Sequence, residues 1–175
     1  MTTGRGKGKS LRSGYTTGAC AAAAAQAAAA TLFKQVMADQ VRLELPDGSE
    51  VSFKISNCAF DSIKASCSVI KDAGDDPDVT NGAEIRASVS WKDAPGISID
   101  GGEGVGMVTK PGLEIPVGMP AINPVPRQMI TDSVKKATAN SLNGKGIKVT
   151  ISVSRGEELA RRTLNPRLGI VGGIS

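Results

Sequence analysis

The sequence predicts an α+β fold: an antiparallel or mixed sheet with helices on one face. Three observations carry that expectation. Ala19–Ala30 holds ten alanines in twelve positions, a run of the strongest intrinsic helix former broken only by Cys20 and Gln26. Strict apolar alternation recurs at 83–91 and at 147–153, the period of a half-buried strand. The order is one helix, several strands, and then strand, helix, strand and helix again, which suits a sheet covered by helices rather than a bundle or a sandwich.

Residues 16–37 read as the first helix, with Thr16 or Thr17 as the capping hydroxyl and Leu32, Phe33, Val36 and Met37 anchoring its end. The chain Val41–Leu45, Pro46-Asp47-Gly48-Ser49-Glu50, Val51–Ile55 reads as a hairpin from its turn residues. Strands follow at 63–70 and 83–91, and shorter ones at Ile97–Asp100 and Val105–Thr109. Five prolines and two glycines between Val108 and Arg127 forbid an interior helix or a central strand, so this stretch is a long stiff loop. Such a loop is either a rigid connector or the wall of a site. A helix over Arg127–Leu142 has an apolar stripe through Met129, Ile130, Val134, Ala137 and Leu142, and Asn143-Gly144-Lys145-Gly146 stops it. Ile147–Val153 is a strand, Gly156–Leu164 a short helix closed by Asn165-Pro166, and Leu168–Ile174 opens a new strand.

Composition narrows the function. The chain of 175 residues is 40% hydrophobic and 22% charged, enough for one core and a soluble surface. Without histidine there is no imidazole-built metal site and no histidine general base. Three cysteines at 20, 58 and 67 are odd in number and lack a CxxC pair, which favours a reduced, cytoplasmic protein. The formal charge of +4 equals that of Arg5, Lys7, Lys9 and Arg12, and the first acid is Asp39. Residues 1–10 therefore read as a disordered basic tail. With aromatics at 3%, little is available to stack on bases, which argues against nucleic acid. No apolar run approaches the length of a membrane span.

Several segments offer chemistry. Asp72, Asp75, Asp76 and Asp78 crowd one loop; such a cluster is either a solvated turn or an acidic wall, and lacks the closing glutamate of an EF-hand. GGEGVG at 101–106 lacks dinucleotide-binding spacing and reads as a tight hairpin whose missing side chains leave room for a planar ligand, with Glu103 facing that space or solvent. The helix start at Thr16-Thr17-Gly18 is an anion site by its free N–H groups. Asn123, a polar amide in an apolar proline loop, needs a partner.

GYTTGACAAAAA (14–25), KDAGDDPDVT (71–80), GGEGVG (101–106), the proline stretch (108–127) and TLNPRLGIVGGIS (163–175) together resemble the cobalt-precorrin-5B C1-methyltransferase family, the CbiD-type enzymes. The resemblance implies methyl transfer from S-adenosylmethionine to C1 of cobalt-precorrin-5B in anaerobic cobalamin synthesis, with cobalt present only inside the substrate. It implies that these residues are the N-terminal portion of a longer enzyme, with other cobalamin-pathway enzymes as candidate partners. It makes Asp75 and Asp76 proton acceptors or hydrogen-bond partners of a protonated ring nitrogen, and Thr16, Thr17, Gly18, Glu103, Lys110, Asn123 and Arg127 the substrate contacts; among these, Lys110 and Arg127 are the cations that acetate and propionate groups call for. No S-adenosylmethionine motif is evident; Gly169, Gly172 and Gly173 are the nearest candidates. Within an α+β substrate-binding and catalytic domain over 11–164, the section from about 83 to 164 is expected to be ribosomal S5 domain 2-like, with 165–175 the first strand of a Rossmann-like domain. Two rivals stay open. An RNA-binding S5-like module predicts salt-dependent binding lost with the tail. A non-catalytic tetrapyrrole carrier predicts substrate binding without S-adenosylhomocysteine binding.

Overall fold

The computed structural model describes residues 11–175, so the basic tail expected at 1–10 lies outside the described residues. The first helix, α1, spans Thr17–Lys34, and the Thr16 hydroxyl accepts the Ala19 N–H at 3.0 Å. It ends earlier than its composition suggests. Gln35 turns left-handed at φ 56°, its N–H caps the Thr31 carbonyl, and its side chain donates to the Leu32 carbonyl. Of the four expected anchors only Leu32 is buried; Phe33, Val36 and Met37 are exposed. The alanines up to Ala29 are buried all round, because α1 lies between the sheet, the second helix and the first hairpin. Only a helix of small side chains fits between three neighbours at once.

That hairpin pairs β1 (Gln40–Glu44) with β2 (Glu50–Lys54), Val41 facing Phe53 and Leu43 facing Val51. Its turn is closed by the Asp47 carboxylate, which accepts the Ser49 N–H, and by Gly48 at φ 83°. The main sheet holds β3 (Asn57–Phe60), β4 (Lys64–Ile70), β5 (Glu84–Lys92), β6 (Gly96–Gly101) and β9 (Gly146–Val153) in the order β3-β4-β5-β9-β6. Strand β9 runs antiparallel to β5 and parallel to β6, so it is inserted into what would otherwise be a β5–β6 hairpin. Ile85, Ala87 and Val89 of β5, which packs against α1, and Ile147, Val149, Ile151 and Val153 of β9 join the α1 alanines in one core. Polar positions such as Ser88 and Lys148 leave the opposite face open. The mixed α+β architecture is as expected; β3 is the strand that alternation did not announce, being four residues long with only Cys58 partly buried.

Two short strands, β7 (Gly104–Val105) and β8 (Met107–Val108), lead into the proline stretch. The second helix, α2, spans Pro124–Ala137 rather than Arg127–Leu142. Pro124 and Pro126 sit in its first turn, where a missing N–H costs nothing because no intrahelical acceptor exists there. Ala139 and Asn140 take positive φ and end it. After β9 come α3 (Gly156–Ala160) and α4 (Asn165–Leu168), then β10 (Ile170–Val171) and β11 (Gly173–Ile174). The single strand expected over 168–174 is therefore a helical turn and two short strands. β10 pairs antiparallel with β8, β11 pairs parallel with β7, and Ile170 and Ile174 are buried.

The glycine-rich segment 101–106 is not a hairpin, and its missing side chains leave no room for a ligand. A Cβ on Gly104 would lie 1.9 Å from the Val153 carbonyl oxygen, and one on Gly173 would lie 2.2 Å from that of Gly104. The space is filled by the protein's own backbone, where β7, β11 and the end of β9 converge.

Candidate functional site

A cleft of about 630 Å³ opens where the N-termini of α1 and α2 come together. Gly18 makes that approach possible, since a Cβ there would meet the Pro126 ring at 2.8 Å. One side is Gly14, Tyr15, Thr16, Thr17 and Gly18, and the other is Ala121, Ile122, Asn123, Val125 and Pro126. Ile151 and Val153 of the sheet lie behind, Ile174 joins from β11, and the hairpin turn at Leu45–Asp47 forms a rim. Tyr15 is fixed against Phe53, ring centroids 4.8 Å apart. The walls are predominantly apolar, with polar groups at a few points, as in a small-molecule site.

Those polar groups centre on Lys71. Its side chain is 3% exposed, and Nζ donates to Thr17 Oγ1 at 3.1 Å, Asp78 Oδ2 at 2.7 Å and Thr80 Oγ1 at 2.5 Å. All three ammonium protons are thus placed, and the lysine ties the acidic loop to the start of α1. Asp78 in turn accepts from the N–H and hydroxyl of Thr80. Burial alone would push its carboxyl up; the hydrogen bonds from Lys71 and Thr80 outweigh that and hold it at about 2. At neutral pH Asp78 is an ionised acceptor and a weak base, suited to orienting a donor rather than abstracting a proton. Cys20, one turn into α1, is buried and its thiol is pushed up to about 11, which rules against a thiolate nucleophile.

The two helix N-termini differ. In α1 the N–H groups of Thr17 and Gly18 belong to the first turn and have no intrahelical acceptor, so the positive end of the dipole meets the cleft. In α2 two of the first three residues are prolines, which contribute a stiff apolar wall instead of donors. Asn123 occupies the α2 cap position, but its side chain makes no capping bond and stays exposed at the cleft.

Of the residues singled out from sequence, Thr16, Thr17, Gly18 and Asn123 come together in the cleft. The others sit elsewhere. Asp75 accepts the Arg12 N–H at 2.6 Å and Asp76 is exposed, both on the outer side of the loop. Arg12 pairs with Asp72 through Nη1 and Nη2 of its guanidinium, which holds the Asp72 carboxyl below its usual range. Glu103 and Lys110 are exposed outside the cleft, and the Lys110 stem covers Gly169. Arg127 donates to the carbonyls of Ile122 at 3.0 Å and Ile99 at 3.3 Å, bracing the proline stretch against β6, while its Nη2 is buried with no partner among the described residues. Gly169 caps α4 at φ 83°, Gly172 takes φ 87° and Gly173 is spent on backbone packing; none lines the cleft. Lys71 went unnoticed in the sequence. Its one signal is its place directly before the four-aspartate loop.

The CbiD family profile matches residues 5–175. The chain belongs to the CbiD family. It is 55% identical over 167 residues to the cobalt-precorrin-5B C(1)-methyltransferase of Geobacillus kaustophilus, covering 95% of this chain and 45% of that relative. It is 56% identical over 173 residues to the protein of the same name from Geobacter metallireducens, covering 95% and 47%. Among solved structures, the cobalamin biosynthesis protein (cbiD) from Archaeoglobus fulgidus matches with a TM-score of 0.70 at 32% identity, over 94% of this chain and 51% of that one. This CbiD chain thus spans about half the length of the relatives it matches.

Proposed function

We propose that this CbiD chain is the N-terminal, substrate-binding part of a cytoplasmic cobalt-precorrin-5B C1-methyltransferase that uses S-adenosylmethionine as methyl donor. The observation that carries the reading is family membership over 5–175, with relatives of that name at 55–56% identity. The cleft supports it. Apolar walls suit the hydrocarbon edge of a macrocycle, while the free N–H groups in the first turn of α1 suit its acetate and propionate groups.

The methyl donor supplies an electrophilic carbon that the ring carbon attacks in line. The glycines at 169, 172 and 173 do not form a cradle for it: Lys110 fills the space at Gly169, backbone fills it at Gly173, and only Gly172 is open. What this chain contributes is position. Thr16, Thr17, Gly18 and Asn123 hold the substrate's polar edge, Asp78 accepts a hydrogen bond from it, and the Pro124–Pro126 wall excludes water. Holding a reacting carbon at near-attack distance accounts for a large share of such a barrier, about 7 kcal/mol or more in favourable cases. Strong acid–base machinery is not required, in keeping with an Asp78 carboxyl at about 2.

In the same reading the unit from β5 through β6 and α2 to β9 is ribosomal S5 domain 2-like, supported by the parallel β6–β9 pair joined through α2. Residues 165–175 then lead into a Rossmann-like unit, in line with relatives of about twice the length. The test is anaerobic incubation with cobalt-precorrin-5B and S-adenosylmethionine, followed by mass spectrometry of the tetrapyrrole. A gain of one methyl from this chain, or from one extended to the relatives' length, is expected. No gain from either overturns the activity.

A further inference from the structure

We propose that Cys58 and Cys67 form a thiol pair that closes reversibly into a cross-strand disulfide on reaction with a low-molecular-weight disulfide such as oxidised glutathione. The register of the sheet places them directly opposite each other on β3 and β4. The Asp61 N–H donates to the Lys64 carbonyl at 2.9 Å, which fixes the phase of this ladder. Counting back from that bond, the Ala59/Ser66 and Asn57/Ser68 pairs exchange hydrogen bonds, and Cys58/Cys67 falls on the non-hydrogen-bonded position between them. At such positions the Cα atoms stand about 4.5 Å apart and the side chains are closest. That is the short end of the range a disulfide spans, so the bond forms with some strain and is readily reduced.

A second observation is independent of register. Both sulfurs converge on one buried hydroxyl: Thr31 Oγ1 lies 3.5 Å from Cys58 Sγ and 3.9 Å from Cys67 Sγ. The Ala38 N–H donates to that same oxygen at 3.3 Å, which leaves the hydroxyl proton free to go to sulfur. The two thiols thus occupy one shared site beneath the C-terminal half of α1.

Access sets the order of events. Strand β3 is the edge of the main sheet and Cys58 is only partly buried, whereas Cys67 is 1% exposed. Burial and the neighbouring Cys58 push the Cys67 thiol up to about 12, so the first attack belongs to Cys58. The Cys58 thiolate attacks one sulfur of the reagent and releases one thiolate, leaving a mixed disulfide. Cys67 then loses its proton to that thiolate, attacks the Cys58 sulfur and expels the second. Two protein thiols become one disulfide, and one reagent disulfide becomes two thiols. Along α1, Thr31 is fourteen residues from Thr17, about 21 Å at helical rise. The staple fixes the sheet edge and leaves the cleft alone.

The chain would be reduced, equilibrated anaerobically with graded mixtures of oxidised and reduced glutathione, blocked with N-ethylmaleimide and digested with trypsin without reduction. Cleavage after Lys54, Lys64 and Lys71 puts Cys58 on peptide 55–64 and Cys67 on peptide 65–71. The expected product is those two peptides joined, two hydrogens lighter than their sum and separated again by dithiothreitol. It should persist in Cys20→Ser and vanish in Cys58→Ser. In Cys67→Ser, Cys58 should stop at the glutathione adduct. The same adduct persisting in the unmodified chain, a Cys58–Cys58 dimer, or full maleimide labelling of both residues at every ratio would each overturn the proposal.

Discussion

Asp78 shows how one side chain carries both charge and position. Its carboxyl lies at about 2, below the usual value near 3.8, so its contribution to stability is complete above about pH 4. That contribution is lost as pH falls from 4 towards 2. Asp78→Asn should therefore be less stable at pH 7 by about 1–2 kcal/mol, a modest figure because the side chain is 37% exposed. Its melting temperature should also fall less than the unmodified chain's between pH 4 and pH 2, as calorimetry would read. Arg127 is the contrasting case. It was expected to hold substrate but holds two carbonyls of its own chain. Arg127→Met should lower the urea midpoint by about 2 kcal/mol of stability with an unchanged slope. The amino-acid string could not separate these roles. Asp75, Asp76 and Asp78 are the same residue within four positions, and only the fold shows which of them meets a buried lysine.

At the scale of elements, the packing of α1 against α2 decides the shape of the cleft. The Gly18–Pro126 contact leaves no space for a larger residue, so Gly18→Val should push the two N-termini apart. The expected cost is about 1–3 kcal/mol in urea unfolding, together with a changed cleft width. Elements whose cues are local were legible in advance. The Thr16 cap, the Asp47-Gly48 turn and the alternation of β5 and β9 are written within a few residues. Elements settled by tertiary contact were not. The end of α1 follows from Gln35 turning left-handed, and the start of α2 from prolines that serve a first turn as readily as they break an interior one. Glycines are the most ambiguous sign: at 104 and 173 they mark contact with backbone, whereas the sequence alone reads them equally well as room for a ligand.

At the scale of the whole molecule, the segment after α4 closes the fold by adding β10 to β8 and β11 to β7. Gly173→Ala should detach it, because the added carbon would lie 2.2 Å from the Gly104 carbonyl oxygen. Limited trypsin digestion would read this as faster cleavage after Arg167, with the main sheet still protected; equal rates would mean that the segment is held by other contacts. The central helix has a different consequence. A rod studded with one repeated methyl group offers its neighbours the same surface after a small rotation or a one-step slide, so its burial hardly distinguishes the correct setting from its near misses. The choice falls to the few places where the repetition is broken: the cap at Thr16, the bare Gly18 under Pro126, Gln26 reaching the Arg42 carbonyl, and Thr31 between two sulfurs. Those residues index the helix like notches on a smooth shaft, and the alignment of the cleft at one end depends on notches along its whole length.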